Sequence, residues 1–249
     1  MQSRYPLLCN TILRDLKENG WTFLPVLNEA EVALTLGILT DHLMRYCKHH
    51  DPIDIGCPRF ASSLAGQQIR ESKKLRILDG EHKNDFLSLP GVKELARSFK
   101  GFVLSSVTFG DLVSEDRSEV YFRIVRPHEP ADVGGFHRDH WFNELYTPHI
   151  KHLSNFKVWI PLICSPDSGL EFIPRPYDIS APYTVEHTKN GPRPVFRASI
   201  GSWNANIIRP KVTAGMALLF DPHILHRGAI NQGPMNRVSL ELCFFDSFA

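Results

Sequence analysis

Arg237-Val238-Ser239-Leu240-Glu241-Leu242-Cys243-Phe244 alternates polar and apolar side chains through most of its length. On an extended backbone this period puts Val238, Leu240, Leu242 and Phe244 on one face and Arg237, Ser239 and Glu241 on the other. The apolar row packs against a core; the polar row faces either an internal cavity or, as on many edge strands, solvent. Upstream, from about Gly101, short β-branched and aromatic runs are separated by Gly, Pro, Asn and Asp. They predict strands near 102–109, 119–126, 134–138, 156–163, 169–174, 183–187, 206–209 and 215–221, with the last at 237–246. Short strands without long helices between them predict a mainly β, cupin-like jelly roll over about 101–246.

The first fifty residues follow a different period. Leu7, Leu8, Ile12, Leu13 and Leu16 recur at helical spacing and Gly20 follows as a stop. After a short apolar piece, Trp21 to Leu27, Asn28 stands where an N-cap belongs. Glu29 and Glu31 fall in the first turn, and Val32, Leu34, Leu36, Leu39 and Leu43 carry a second helix toward Cys47. Two helices are therefore expected to precede the sheet within one domain spanning 1–249.

Composition narrows the function classes. Apolar residues are 43% and charged residues 22% of the chain, ordinary values for a globular protein. A formal net charge of +1 leaves no broad electrostatic footprint for nucleic acid or a membrane surface, so a small-molecule partner is expected. Cys9, Cys47, Cys57, Cys164 and Cys243 include no C-x-x-C pair and read as free thiols in a reducing compartment. With no signal-like or membrane-spanning apolar run, the expected location is cytoplasmic. The sequence is silent on oligomeric state.

The chemistry concentrates in Gly134-Gly135-Phe136-His137-Arg138-Asp139-His140-Trp141, where a histidine and a carboxylate two apart share one face if the backbone is extended. A third ligand, His226, lies in the expected turn Pro222-His223-Ile224-Leu225-His226-Arg227-Gly228, 87 residues beyond Asp139. Two imidazoles and one carboxylate on one side of a metal leave three positions open. That arrangement suits non-haem Fe(II), which must bind a chelating co-substrate and dioxygen. Arg237 opens the final strand 11 residues after His226. Its guanidinium can take the distal carboxylate of 2-oxoglutarate in a bidentate pair, with Ser239 donating a hydrogen bond from the same face. A second His-x-Asp, His49 and Asp51, sits beside Pro52 and reads as solvated surface.

At these residues the sequence resembles the phytanoyl-CoA dioxygenase-like branch of the Fe(II)/2-oxoglutarate oxygenases, whose pattern is His-x-Asp, a distal His, then Arg-x-Ser. Leu16-Lys17-Glu18-Asn19-Gly20-Trp21-Thr22-Phe23-Leu24-Pro25 is similar to that branch's helix-to-strand opening. Lys157-Val158-Trp159-Ile160-Pro161-Leu162 is similar to its central strand, and the stretch from Gly215 to Phe244 to its closing pair. The resemblance implies a double-stranded β-helix, iron and 2-oxoglutarate as cofactor and co-substrate, O2 as oxidant, and oxidation of an unactivated C–H bond. Asp139 occupies the position that halogenating relatives give to a small residue, so hydroxylation or another outcome of hydrogen abstraction is implied. Ile173-Pro174-Arg175-Pro176-Tyr177 departs from the Ile-Pro-Gly-Ser-His of many relatives, and substrate contacts from that loop do not transfer.

Other readings stay open. Tyr121 and Arg123 share a strand face with Val125 and either surround the co-substrate or serve as a structural tyrosine and a snorkelling arginine. Trp159 either flanks 2-oxoglutarate or fills the core. His140 faces away from Asp139 if the strand alternates, and His223 is an alternative to His226 without the companion arginine at the right offset. The cations of 175–211, namely Arg175, Lys189, Arg193, Arg197, Arg209 and Lys211, either lid the pocket and favour a polar or anionic substrate or lie on a solvated loop. The same triad also suits zinc in a hydrolase. A non-catalytic β-sandwich binding module is the remaining alternative.

Overall fold

In the computed structural model the closing strand, β10 (Arg237–Asp246), runs through the middle of the larger sheet and its apolar row is buried: Val238 and Leu240 are 0% exposed, Leu242 and Phe244 2%. Removing each such side chain from water is worth about 1.5–3 kcal/mol. The structure describes residues 6–47, 53–72, 74–99, 102–105, 119–146, 154–173, 182–188, 191–196 and 207–246. β10 pairs antiparallel with β4 (Asn155–Ile163) on one side; on the other it pairs with β3 (Tyr121–Val125) along its first half and β2 (Phe102–Ser105) along its second. β8 (Met216–Phe220) and β1 (Trp21–Pro25) extend the sheet beyond β4. Register sets the core: Leu240 lies opposite both Phe122 and Ile160, and Phe244 opposite Phe156, their rings stacked with centroids 5.2 Å apart.

A smaller sheet pairs β5 (Leu170–Ile173) with β9 (Leu225–Gly228), lengthened by isolated bridges from Phe172 to Ile208 and from His226 to His137. β6 (Tyr183–Thr188) and β7 (Gly191–Phe196) form a separate hairpin. The architecture is the expected mainly antiparallel jelly roll with flanking helices.

Local chemistry explains the first two helices. α1 (Pro6–Asn19) stops at Gly20, whose φ of 85° suits glycine, and the Gly20 amide returns to the Leu16 carbonyl at 2.9 Å. α2 (Glu29–Cys47) begins with reciprocal bonds: the Glu31 amide donates to Asn28 Oδ1 and the Asn28 amide to Glu31 Oε2, each at 3.0 Å. The Gly91 amide donates to the other Glu31 oxygen, joining α2 to a later helix.

The expected count of two helices before the sheet falls short. α3 (Pro58–Ser62), α4 (Leu64–Glu71), α5 (Gly80–Leu87) and α6 (Pro90–Ser98) follow, started by prolines at Pro58 and Pro90 and by side-chain caps from Ser63 and Asp79. Ile12, Leu39, Leu43, Ile69, Phe86 and Leu95 from these helices join Phe122, Val158 and Leu240 in one apolar cluster. A helical layer therefore covers one face of the large sheet, leaving its polar row on the other. Two expected strands also shrink: 134–138 is irregular except for the bridge at His137, and of 206–209 the described residues 207–209 contribute only the bridge at Ile208.

Candidate metal centre and active-site cavity

Backbone pairing brings the distant histidines together. His226 lies within β9, a strand where the sequence predicted a turn, and His137 pairs with it: each amide donates to the other residue's carbonyl at 3.0 Å. Paired residues of an antiparallel bridge project to the same side, and the two rings lie 4.5 Å apart. Asp139 arrives by a different route. It is the first residue of α7 (Asp139–Tyr146), so helix initiation rather than strand alternation aims its carboxylate. Asp139 Oδ1 lies 3.8 Å from His137 Nε2 and its Oδ2 3.9 Å from His226 Nε2.

The tautomers follow from the partners. His137 Nδ1 is 2.9 Å from the Gly135 carbonyl and His226 Nδ1 is 3.0 Å from the Ile224 carbonyl. A ring nitrogen facing a carbonyl must donate, so both Nε2 atoms keep lone pairs directed toward Asp139. Two imidazole lone pairs and a carboxylate, with ligand atoms all within 4.8 Å, are a donor set for a divalent cation, with the outer ring nitrogens already oriented. Burial, reinforced by repulsion from His226, pushes His137 down to about 3, so its ring is neutral and ready to ligate. Burial works against the Asp139 carboxylate, but the Lys157 ammonium, with help from Arg123, outweighs it and holds its pKa below the usual value.

The triad borders a cavity of about 540 Å³. The polar row of β10 faces this side: Arg237 is 2% and Ser239 1% exposed, and Glu241 borders the cavity. Tyr121 and Arg123 on β3 border it as well, Tyr121 beneath the Arg76 guanidinium at 5.0 Å and Arg123 with its Nε 3.6 Å from Glu241. Trp159 fits both readings, 2% exposed in a cluster with Leu170, Phe172 and Phe220 while edging the cavity.

Arg237 and Ser239 are not among the residues that border it. Arg237 lies against Gly228, which does, and a Cβ at Gly228 would come 2.9 Å from its Nη2. Its Nη1 donates to the carbonyls of Ser168, Gly169 and Ala229 at 2.6–2.8 Å, whereas its Nε and Ser239 Oγ are buried without partners. Burial pushes Arg237 down to about 10, which still leaves it charged near neutrality. Two orphaned donors side by side on one strand suit an absent acceptor such as a carboxylate.

Sequence reasoning missed Lys157, whose Nζ lies 3.7 Å from Asp139 Oδ2, and Phe142, which meets the His137 ring edge-on. Strand parity signalled the first: Lys157 alternates with the core residues Phe156 and Val158 on the strand already recognised. It missed Arg76 too, from a 3-10 turn at Lys74–Arg76 far from the strands. His140 and His223 are engaged away from the triad, their rings tilted against each other with centroids 4.2 Å apart, and paired with Glu144 and Asp221. A second group of ligand-type side chains, His42, Asp79 and His82, is occupied structurally, since Asp79 caps α5, accepts from His82 and pairs with Arg45 at 3.3 Å. Of the cations between 175 and 211, Arg193 stands on β7 at the cavity and Arg209 pairs with Glu171. Arg175, Lys189 and Arg197, like His49 and Asp51, lie outside the described residues.

No protein-family model and no curated protein sequence matches the chain. Solved structures do. The "non-heme monooxygenase" ThoJ in its apo form matches with a TM-score of 0.59 and 11% identity over 94% of this chain and 77% of that one. AviO1 from Streptomyces viridochromogenes Tue57 matches at 0.55 and 14% over 96% of both chains. EvdO2 from Micromonospora carbonacea var. aurantiaca, complexed with 2-oxoglutarate, matches at 0.55 and 14% over 95% of this chain and 90% of that one. At such identities the likeness is one of fold: the chain has the fold of non-haem oxygenases and carries a triad able to bind metal at its cavity. No helix among the described residues is long and apolar enough to cross a membrane.

Proposed function

We propose that this protein is an Fe(II)- and 2-oxoglutarate-dependent dioxygenase, one domain of the phytanoyl-CoA dioxygenase-like kind, that hydroxylates a C–H bond of a small polar metabolite and releases succinate and CO2. The observation that carries this reading is the convergence of His137 Nε2, His226 Nε2 and the Asp139 carboxylate, their lone pairs free and their outer nitrogens tied to carbonyls. Bound on one side by these residues, iron would keep positions for 2-oxoglutarate and O2, which together supply the oxidising power.

The remaining work belongs to the chain. Arg237, which lies just behind Gly228 of the cavity wall, and Ser239 beside it would receive the distal carboxylate of the co-substrate through Nε and Oγ, satisfying two donors otherwise buried at a cost of about 1–3 kcal/mol each. Lys157 keeps Asp139 ionised and oriented. Tyr121 and Trp159 wall the co-substrate side, while Phe172, Phe220 and Phe142 keep water off the imidazoles. A volume of about 540 Å³ accommodates a metabolite beside the co-substrate. Zinc hydrolysis would use the same ligands and leave the orphaned donors of Arg237 and Ser239 without a task.

Protein incubated with Fe(II), ascorbate and carboxyl-labelled 2-oxoglutarate is expected to release labelled CO2 even without its substrate, and His226→Ala to abolish the release. Label appearing no faster than in a metal-free control would overturn the assignment.

A further inference from the structure

The cavity holds more positive charge than the triad and co-substrate use. Arg76 reaches it from the 3-10 turn, Lys157 from β4, Arg123 from β3 and Arg193 from β7. Lys157 has Asp139, and Arg123 has Glu241 at 3.6 Å. Arg76 and Arg193 form no ion pair among the described residues; Glu241 acts on Arg76 through space, and Glu186, the cross-strand neighbour of Arg193 in the β6–β7 hairpin, acts on Arg193 without closing a bridge. Arg76 is the more exacting case, since its Nε is buried without an acceptor and its guanidinium is fixed over the Tyr121 ring. Arg193 is held close to the metal ligands: its Nη2 lies against Gly134, where a Cβ would overlap it, three residues before His137. Burial, then repulsion from Arg123, depresses both guanidiniums. Glu119 and Asp132 are the other acids that border the cavity, and Asp132 is tied to Arg126 through both oxygens at 2.8 and 2.9 Å.

Arg123, paired with one carboxylate, repels the two unpaired guanidiniums of Arg76 and Arg193, and an oxyanion relieves that repulsion with paired, charge-assisted hydrogen bonds. We infer that the substrate carries an oxyanion, a carboxylate or a phosphate, that docks among Arg76, Arg123 and Arg193 where they border the cavity. This rests on the oxygenase reading for treating the ligand as a substrate, and it deepens that reading by naming the substrate's charge. In the proposed reading the two carboxylates of 2-oxoglutarate are assigned to Arg237 and the metal, which leaves Arg76 and Arg193 for another anion.

Calorimetric titration decides the matter with two probes, inorganic phosphate and propionate, which separate the two sources of the oxyanion. At least one is expected to bind the wild-type protein saturably, and Arg76→Met/Arg193→Met to weaken it roughly tenfold or more, as loss of charge-assisted bonds requires. Arg76→Lys/Arg193→Lys, which keeps the charge, should bind with intermediate affinity; this guards against mistaking a folding defect for a lost site. Binding of neither probe, equal affinity in the Met variant, or displacement of the probe by 2-oxoglutarate would each overturn the inference. Labelled CO2 release by the wild-type protein is measured in parallel; its failure would remove the oxygenase reading while the phosphate and propionate titrations still decide whether an anion site exists.

Discussion

Arg237→Met separates the structural and chemical tasks of one side chain. The guanidinium is 2% exposed, and its Nη1 bonds three carbonyls: Ser168 and Gly169 at the start of β5, and Ala229 just after β9. It therefore clamps the small sheet to β10 of the large one. Methionine fills similar volume but donates nothing, leaving three acceptors to lose a charged donor. Hydrogen bonds to charged groups are worth about 1.5–3 kcal/mol each, but the removed charge was itself costly to bury, so the net loss is about 3–5 kcal/mol. For a chain of this length that lowers the melting temperature by about 6–20 °C, measurable by calorimetry or circular dichroism. Arg237→Lys should fall between, since a compact ammonium reproduces the charge but not the fork. Below the melting point of the variant, the KM for 2-oxoglutarate should rise about tenfold or more. A melting temperature within two or so degrees of wild type would refute the clamp, and an unchanged KM in folded protein would refute the co-substrate role; the two can fail separately.

Three further outcomes are expected. Glu171→Gln removes a buried carboxylate that holds Arg209 and Arg227 at 2.5–2.6 Å; because both arginines are partly solvated, the loss should be about 2 kcal/mol by urea denaturation, and smaller at high salt. Burial pushes the Cys164 and Cys243 thiols up to about 11, so the unfolded chain ionises first as pH rises: stability is full below the ordinary thiol pKa and declines toward pH 11. The fall should be about 2 kcal/mol per thiol and vanish in Cys164→Ser/Cys243→Ser. Lys157→Met should weaken Mn(II) or Co(II) binding about tenfold without removing a ligand, read by competition with a chelator; unchanged affinity would end the orienting role.

Parity and caps were legible in the sequence because each is written in adjacent residues. The alternation of 237–244 located the buried row, and the stop at Gly20 and the cap at Asn28 fell where predicted. The helices between 58 and 98 were not legible: at five to nine residues they are too short to display a full apolar period, and prolines and caps start them instead. His137 and Asp139 converge as expected but for another reason. Two glycines prevent a regular strand, a single backbone bridge places the histidine, and a helix start places the aspartate. β9 is four residues long and follows Asp221-Pro222, so local signals spelled a turn while pairing with β5 imposed a strand. Arg76 had no local signature, since what brings it to the cavity is the backbone bridge between Ile77 and Tyr121, a partner 44 residues further along the chain.

The three ligands are not held alike, and the difference locates the soft point of the site. Both imidazoles are fixed twice, by the paired backbone bonds between His137 and His226 and by an Nδ1 bond to a carbonyl two residues back. Neither restraint requires metal, so the imidazole pair is part of the scaffold. Asp139 has no equivalent backbone restraint on its carboxylate; its neighbours are the two Nε2 atoms at 3.8 and 3.9 Å and the Lys157 ammonium at 3.7 Å. Those distances are too long for hydrogen bonds, so the carboxylate is steered chiefly by the charge of Lys157. A divalent cation held here would meet two pre-set imidazoles and one carboxylate whose placement depends on Lys157, so loss of that lysine is expected to weaken binding through Asp139 and not through the histidines.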